Sequence, residues 1–317
     1  LKFLIVTPKW DEKNGGVVVL HKLCDLLNRA GRQAHLVPYI DNQLIQPGKS
    51  ASGVWKVLRS RLYRWYRAFK TNPALQTPVF PGEPWLLDLS EYIVIYPELV
   101  LGNPLRAPHV VRWFLHKPGF HNQGNIVLGQ GELYFFYNKA FGPFHMTGSR
   151  TSEHELRVIH YPLEHYNLEG ALPEAERQGT AYCLRKGDKK PQIHHPADAI
   201  LIDPLTHAET AAVFKRVKRF VSYDSITAYS FFAALCGCES VVVPDEGVSF
   251  EAWQSNPADA HGIAYGFSDA EIQRAKNTAH LCVERVHEMN KQNQTNLQLA
   301  LTEMDTYFQV SGLKKSH

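Results

Sequence analysis

The chain opens on a short continuous apolar run, Lys2 to Pro8 (KFLIVTP), the pattern of a strand buried on both faces of a parallel sheet. A polar loop ending in Asn14-Gly15-Gly16 follows. Val19, Leu20, Leu23, Leu26 and Leu27 then recur at helical spacing between Val17 and Ala30. Gly31 closes that helix, because a residue without Cβ accepts the left-handed conformation of a helix end. Gln33 to Tyr39 (QAHLVPY) reads as the next strand, which completes a strand, glycine loop, helix, strand unit. Tyr92 to Tyr96 (YIVIY) and His109 to Leu115 (HVVRWFL) are two further buried strands. The stretch from His116 to Tyr137 is rich in Gly, His and Asn and is expected to form loops at strand ends. Residues 167 to 180 are polar, contain Gly170, Pro173 and Gly179, and are expected to be a linker.

The second half repeats the theme. Thr180 to Arg185 (TAYCLR) is a strand followed by the basic turn Lys186-Gly187-Asp188-Lys189-Lys190. Ala199 to Ile202 is a short strand, and Thr206 to Val217 a helix capped near Thr206 or His207. Phe220 to Glu246 reads as strand end, polar turn, apolar helix, Cys-Gly-Cys break, buried strand and acidic loop. Ser268 to Gln309 is amphipathic at helical spacing and predicts two helices. The order predicts an α/β fold of two Rossmann-like domains facing a cleft. The expected bounds are 1–172 and 173–317, the second domain carrying the C-terminal helices.

Composition narrows the class. The 317 residues suffice for two domains, and 44% hydrophobic with 21% charged residues excludes global disorder. A net charge of +3 is too small to imply a nucleic-acid partner, and none is expected. The charge is uneven, however, since residues 42 to 82 contain no Asp or Glu. Within that region Trp55, Leu58, Leu62, Trp65, Tyr66 and Phe69 alternate with Lys56, Arg59, Arg61, Arg64, Arg67 and Lys70. The segment 49–70 therefore reads either as a basic amphipathic helix on an anionic membrane surface or as a helix packed through its aromatics. Cys24, Cys183, Cys236, Cys238 and Cys282 lie scattered in apolar contexts, as reduced core thiols do in a cytosolic protein. No apolar run reaches the ~18 residues of a membrane span, and no signal peptide is visible at the start. The expectation is a cytoplasmic protein, peripheral on the inner face of a membrane if Trp55–Lys70 takes the first of its two forms.

Candidate chemistry gathers at strand ends. Tyr223, Asp224 and Ser225 precede a helix whose N–H groups and dipole suit a phosphate, although Asp224 also reads as a helix cap. Glu98 and His116 each follow a buried strand, where catalytic groups of α/β folds collect. His116 is expected to act as a base or to orient an acceptor, with Lys117, His121, Asn122 and Gln130 beside it.

Three pieces carry a resemblance: Asn14-Gly15-Gly16 entering a helix, Leu184-Arg185-Lys186-Gly187 after a strand, and Tyr223-Asp224-Ser225 through Ala234-Leu235-Cys236-Gly237-Cys238. Together they resemble the GT-B class of glycosyltransferases, in its glycosyltransferase-4-like branch. Where that pattern has two Glu residues this chain has Asp224 and Phe232, and Glu239 stands in place of a Pro. The resemblance implies a hexosyltransferase using a UDP-, GDP- or dTDP-linked sugar and no further cofactor, with a glycan or lipid-linked acceptor in polysaccharide assembly. It assigns Gly15, Gly16, Arg185, Lys186, Tyr223, Asp224 and Ser225 to the donor and Glu246 to the ribose in place of Phe232; the catalytic candidates are Asp224 together with His116 and Glu98, the last two from their places at strand ends. The chain has no Asp-x-Asp pair, so metal-independent transfer is expected, the leaving diphosphate being held by cations and helix termini. A nucleotide-sugar epimerase or hydrolase of the same fold is the alternative enzyme. An inactive nucleotide- or glycan-binding module is the non-enzymatic one, and turnover of a nucleotide-sugar panel separates them.

Overall fold

The computed structural model describes residues 1–39, 69–82, 84, 87–121, 123–141, 144–254 and 256–314. Two compact units emerge, Leu1–His160 with Lys291–His317, and Tyr161–Asn290. Each is built on a wholly parallel sheet.

In the first unit β1 (Lys2–Thr7), β2 (Ala34–Pro38), β3 (Tyr92–Pro97), β4 (His109–Phe114), β5 (Leu133–Phe136) and β6 (Arg150–Glu155) lie in the order β2-β1-β3-β4-β5-β6. Both faces of β1 are covered, which is why its sequence is continuously apolar rather than alternating. Phe3 and Ile5 pack with Leu20, Leu23 and Leu27 of helix α1 (Gly15–Arg29), and with Leu297, Leu301, Met304 and Phe308 of the C-terminal helix. Leu4 and Val6 face Val37, Val94, Tyr96 and Leu105. Helix α1 starts where Asn14 accepts the Val17 N–H at 3.2 Å, and Gly31 follows it at φ +78°.

The second unit holds β7 (Thr180–Cys183), β8 (Ile200–Leu201), β9 (Arg219–Ser222), β10 (Glu239–Val242) and β11 (Ile263–Tyr265) in the order β11-β10-β9-β7-β8. Its helices are α2 (His207–Phe214), α3 (Tyr229–Leu235), α4 (Phe250–Trp253) and α5 (Asp269–Thr278). Thr206 and Glu209 form a reciprocal capping box on α2. The Cys-Gly-Cys break ends α3. Gly237 takes φ +73°, so that the Gly237 and Cys238 N–H groups return to the Ala234 and Ala233 carbonyls at 2.9 and 3.0 Å. Counted along each unit, both sheets run second, first, third, fourth, fifth, the flavodoxin-like form of the doubly wound fold, with one more strand in the first unit.

Three expectations change. The stretch 116–137 is not all loop, because Leu133–Phe136 (LYFF) forms β5, fully buried between β4 and β6. The boundary falls at His160/Tyr161 rather than at 172/173. Residues expected as linker belong to the second unit: Arg177 donates to the carbonyls of Leu172, Phe214 and Cys236, just beyond Tyr166, which stacks on Phe232 at 4.3 Å. The last helix, α6 (Cys282–Lys314), is shared. Cys282 and Val286 pack in the second unit's core, whereas Leu297 to Phe308 pack in the first. Most of the expected 49–70 helix lies outside the described residues. Of its members Phe69 stacks on His21 at 6.0 Å, and the Lys70 carbonyl accepts the Trp10 N–H at 2.7 Å.

Candidate functional site

In a doubly wound sheet, ligands bind at the carboxyl ends of the strands where the strand order reverses. In the second unit that point lies between β7 and β9, so the turns after Cys183 and after Ser222 flank it. Arg185 and the Tyr223-Asp224-Ser225 turn both lie there. The two turns touch backbone to backbone: a Cβ on Gly187 would stand 2.0 Å from the Tyr223 carbonyl oxygen and 2.7 Å from the Asp224 nitrogen. No side chain fits. Gly187→Ala is therefore expected to destabilise the second unit by about 3 kcal/mol, since backbone rather than a flexible side chain must give way. Urea unfolding measures it. A loss within about 0.5 kcal/mol of zero would mean that the two turns part freely.

Leu184 lies in the right-handed region and Arg185 at φ 43°, a pairing that aims successive N–H groups at one point and forms an anion nest. The occupant is internal: Asp203 Oδ2 accepts the N–H groups of Leu184 and Arg185, both at 3.1 Å. The Arg185 side chain sits 3.8 Å from Asp203 Oδ1 and lies over the Tyr229 ring at 4.2 Å. Arg185 thus shapes the turn, while Lys186 next to it is exposed.

A second cation, read in the sequence only as the end of the basic turn, is drawn in by the fold. Lys190 Nζ donates to Asp245 Oδ1 at 2.6 Å and to the Val243 carbonyl at 2.7 Å. Ser225 Oγ donates to Asp245 Oδ2 at 2.5 Å, and Trp253 Nε1 donates to the Ser225 carbonyl at 2.6 Å. Asp245 is the hub of loops that follow three strands. Hydrogen bonds from Lys190 and then Ser225 hold its carboxyl below the usual carboxylate range. Neither Asp245 nor Lys190 was separable by sequence from neighbouring charges. Glu246 beside it is exposed.

Tyr223 and Asp224 have structural work. Tyr223 is fully buried, and its hydroxyl accepts the His194 N–H at 3.0 Å and meets His195 Nδ1 at 2.8 Å. His195 in turn stacks on Tyr182 at 3.8 Å, and burial lowers its pKa. Asp224 is buried, and its Oδ1 accepts the Ile226 N–H at 3.1 Å in an Asx turn. It does not cap the helix, because α3 begins only at Tyr229 with Ala228 as N-cap. The helix-mouth reading of this turn is thereby corrected: the turn lies before the helix, not on its first N–H groups. Phe232, at the position of the missing Glu, is core.

The first unit has its own reversal, between β1 and β3. Gly15 and Gly16 begin α1 beyond β1. A Cβ on Gly15 would meet nothing within 4 Å, and one on Gly16 would lie 3.7 Å from Leu115, at the end of β4. The Leu115 N–H donates to Glu98 Oε2 at 3.0 Å, and the His116 N–H also bonds the Glu98 carboxyl. Burial dominates and raises the Glu98 pKa despite these bonds. His116 Nδ1 accepts the Lys117 N–H at 2.8 Å, so the neutral ring carries its proton on Nε2. Its ring stacks on Phe120 at 3.9 Å and on Phe141 at 5.4 Å, with His121 edge-on at 5.2 Å. Lys117, His121 and Gln130 are exposed, and Asn122 lies outside the described residues.

Among the described residues no group of three or more His, Cys, Asp or Glu side chains is placed to hold a metal ion, and no helix is long and apolar enough to cross a membrane. All five cysteines are buried and unpaired with one another.

Strand order and carboxyl-end geometry define the chain as an α/β protein of two Rossmann-like units. No family model matches it, and no curated protein does. Among solved structures it is similar to T4 phage β-glucosyltransferase, at 10% identity over 98% of this chain and 98% of that chain, with a TM-score of 0.37. It is also similar to the spinosyn forosaminyltransferase SpnP, at 12% identity over 99% of this chain and 98% of that chain, with a TM-score of 0.33. A third is glycosyltransferase VinC in complex with dTDP, at 11% identity over 98% of this chain and 100% of that chain, with a TM-score of 0.34.

Proposed function

We propose that this chain is a metal-independent glycosyltransferase that moves a sugar from a UDP-, GDP- or dTDP-linked donor to an acceptor hydroxyl. The observation that carries the reading is the second unit's reversal point, where Lys190, Ser225 and the Arg185 turn converge through Asp245, Asp203 and the Gly187–Tyr223 backbone contact. The resemblance of the same turns to donor-binding signatures supports it. A glycosyl donor loses a nucleoside diphosphate, on which negative charge grows as the anomeric C–O bond breaks. An ammonium group already held in place, as Lys190 is by Asp245, stabilises that charge with little reorganisation during the reaction.

Lys186 and Lys190 supply the charge, Ser225 a hydroxyl that turns from Asp245 to the diphosphate when the donor binds, and Arg185 and Asp203 the shape of the turn. Tyr223 and Asp224 form the wall from which Ser225 projects. Glu246 is assigned to the ribose hydroxyls, and Gly15 and Gly16 to close backbone approach by the donor. On the acceptor side Glu98 is assigned as the base. A carboxyl with a raised pKa takes a proton more readily than an ordinary one. The acceptor proton passes to Glu98, the acceptor oxygen bonds the anomeric carbon, and the bonding pair of the old C–O bond leaves with the diphosphate. His116, protonated on Nε2, is a hydrogen-bond donor that orients the acceptor, with Lys117 and His121 nearby. The acceptor is assigned as a glycan or lipid-linked glycan in polysaccharide assembly, with segment 55–70 resting on an anionic membrane.

Thermal-shift measurements with UDP, GDP, dTDP and CMP test the donor site. One of them should stabilise the protein by about 2.7 kcal/mol at a hundredfold excess over its dissociation constant. Lys186→Ala combined with Lys190→Ala should remove most of that gain. No stabilisation by any of the four, together with no turnover of their sugars, would overturn the reading.

A further inference from the structure

The rings around His116 form a feature that donor binding does not use. Phe141, His116 and Phe120 are stacked in succession, at 5.4 and 3.9 Å between centroids and with interplanar angles of 12° and 29°. His121 meets the Phe120 ring edge-on at 5.0 Å. Phe120 ends the ladder and is 63% exposed. The loop that presents it is closed on itself. The Phe120 N–H returns to the Lys117 carbonyl at 3.1 Å and the Gly124 N–H to the Gly119 carbonyl at 2.9 Å. Gly119 at φ +79° passes so near Gly124 that a Cβ would stand 3.1 Å from its Cα. One face of the stack is therefore backed by His116 and Phe141 on a fixed turn. The ladder also includes one of Glu98's partners, because the His116 N–H bonds the Glu98 carboxyl.

We infer that Phe120 is a stacking platform for a saccharide acceptor, the apolar C–H face of a pyranose lying against the Phe120 ring beside Glu98. This rests on the glycosyltransferase reading with a glycan acceptor, and adds to it the surface on which the acceptor's sugar ring lies. The negative face of an aromatic ring attracts the weakly positive C–H groups of a sugar, while a sugar's hydroxyls need polar partners around its rim. Lys117, His121 and Gln123 are exposed around Phe120 and supply such partners. A purely apolar acceptor is held instead by enclosure in an apolar pocket. A backed ring on a polar loop offers it only one face.

Saturation-transfer NMR with methyl glycosides of glucose, galactose, mannose and N-acetylglucosamine tests the platform on the intact chain, with 2-naphthol as an apolar planar competitor. At least one glycoside should receive saturation at its ring C–H protons. Phe120→Ala should weaken its association about fivefold to tenfold, and Phe120→Trp should restore it. Because Phe120 is exposed, both variants should keep the wild-type melting temperature. Wild-type binding of every glycoside that is absent, or unchanged in Phe120→Ala, overturns the platform. So does Phe120-dependent binding of 2-naphthol alone. Nucleotide stabilisation in Phe120→Ala is read separately. It stays at the wild-type level if only the platform is wrong, and it is missing from the wild type itself if the donor reading is wrong.

Discussion

Arg112→Met is expected to cost the first unit about 3–5 kcal/mol, because it breaks a buried pair by removing one partner. Arg112 lies in the middle of β4 and is fully buried. Its Nε and Nη2 reach the two oxygens of Glu132 at 3.1 and 2.9 Å, Nη2 also donates to the Gly102 carbonyl at 2.8 Å, and Nη1 donates to the Val100 carbonyl. The guanidinium packs over Tyr96 at 5.0 Å. Methionine fills much of the volume but leaves Glu132, 2% exposed at its side chain, as an uncompensated charge, and it orphans two carbonyls. Adding Glu132→Gln should recover a good part of the loss. The Gln oxygen still accepts the Gly129 N–H that Glu132 now takes at 2.8 Å, and no buried charge remains. Urea unfolding of both variants decides the matter. A single variant less than about 1 kcal/mol below wild type would mean that water reaches Glu132.

Glu98→Gln is expected to lower transfer by about a hundredfold to ten-thousandfold, the usual contribution of a positioned base. Glutamine keeps the oxygen that accepts the Leu115 N–H, so the fold and nucleotide affinity should persist. The pH profile separates catalysis from structure. Burial raises the Glu98 pKa, so the base is lost on acidification at a higher pH than for an ordinary carboxylate. The wild-type rate should rise with pH through that raised value and then level. In the glutamine variant the limb should vanish. A variant with wild-type rate, or with an unchanged acid limb, removes Glu98 from catalysis and returns the role to another group.

Much of the fold was legible because period and punctuation are local. Four of the second unit's five strands, the first helix with its closing Gly31 and the Thr206 cap each follow from a few neighbouring residues, whereas β11 (IAY) is too short to show a period. β5 escaped because four apolar residues between glycine-rich and polar stretches give no period to count. β6 escaped because its sequence, RTSEHE, is that of a polar outer strand with one buried residue. The site was half legible. Residues just after buried strands could be singled out, and Arg185, Ser225, Glu98 and His116 do stand at carboxyl ends. What each side chain does there was not readable, since partners such as Asp203, Asp245 and the His194–His195 loop are far away in sequence.

By itself, then, the sequence determined most of the strands, that they alternate with helices, and that charged and hydroxyl groups cluster at their ends, because these depend on local periodicity and on turn chemistry. Only the tertiary structure decided that the segment 161–179 joins the second core and that the end of the last helix joins the first. It also decided that Tyr223 is a buried anchor, that Asp203 fills the Arg185 nest, and that Lys190 and Ser225 share Asp245. Those outcomes turn on which distant surfaces bury each other and which buried polar atoms must find a partner, and sequence spacing carries no record of either.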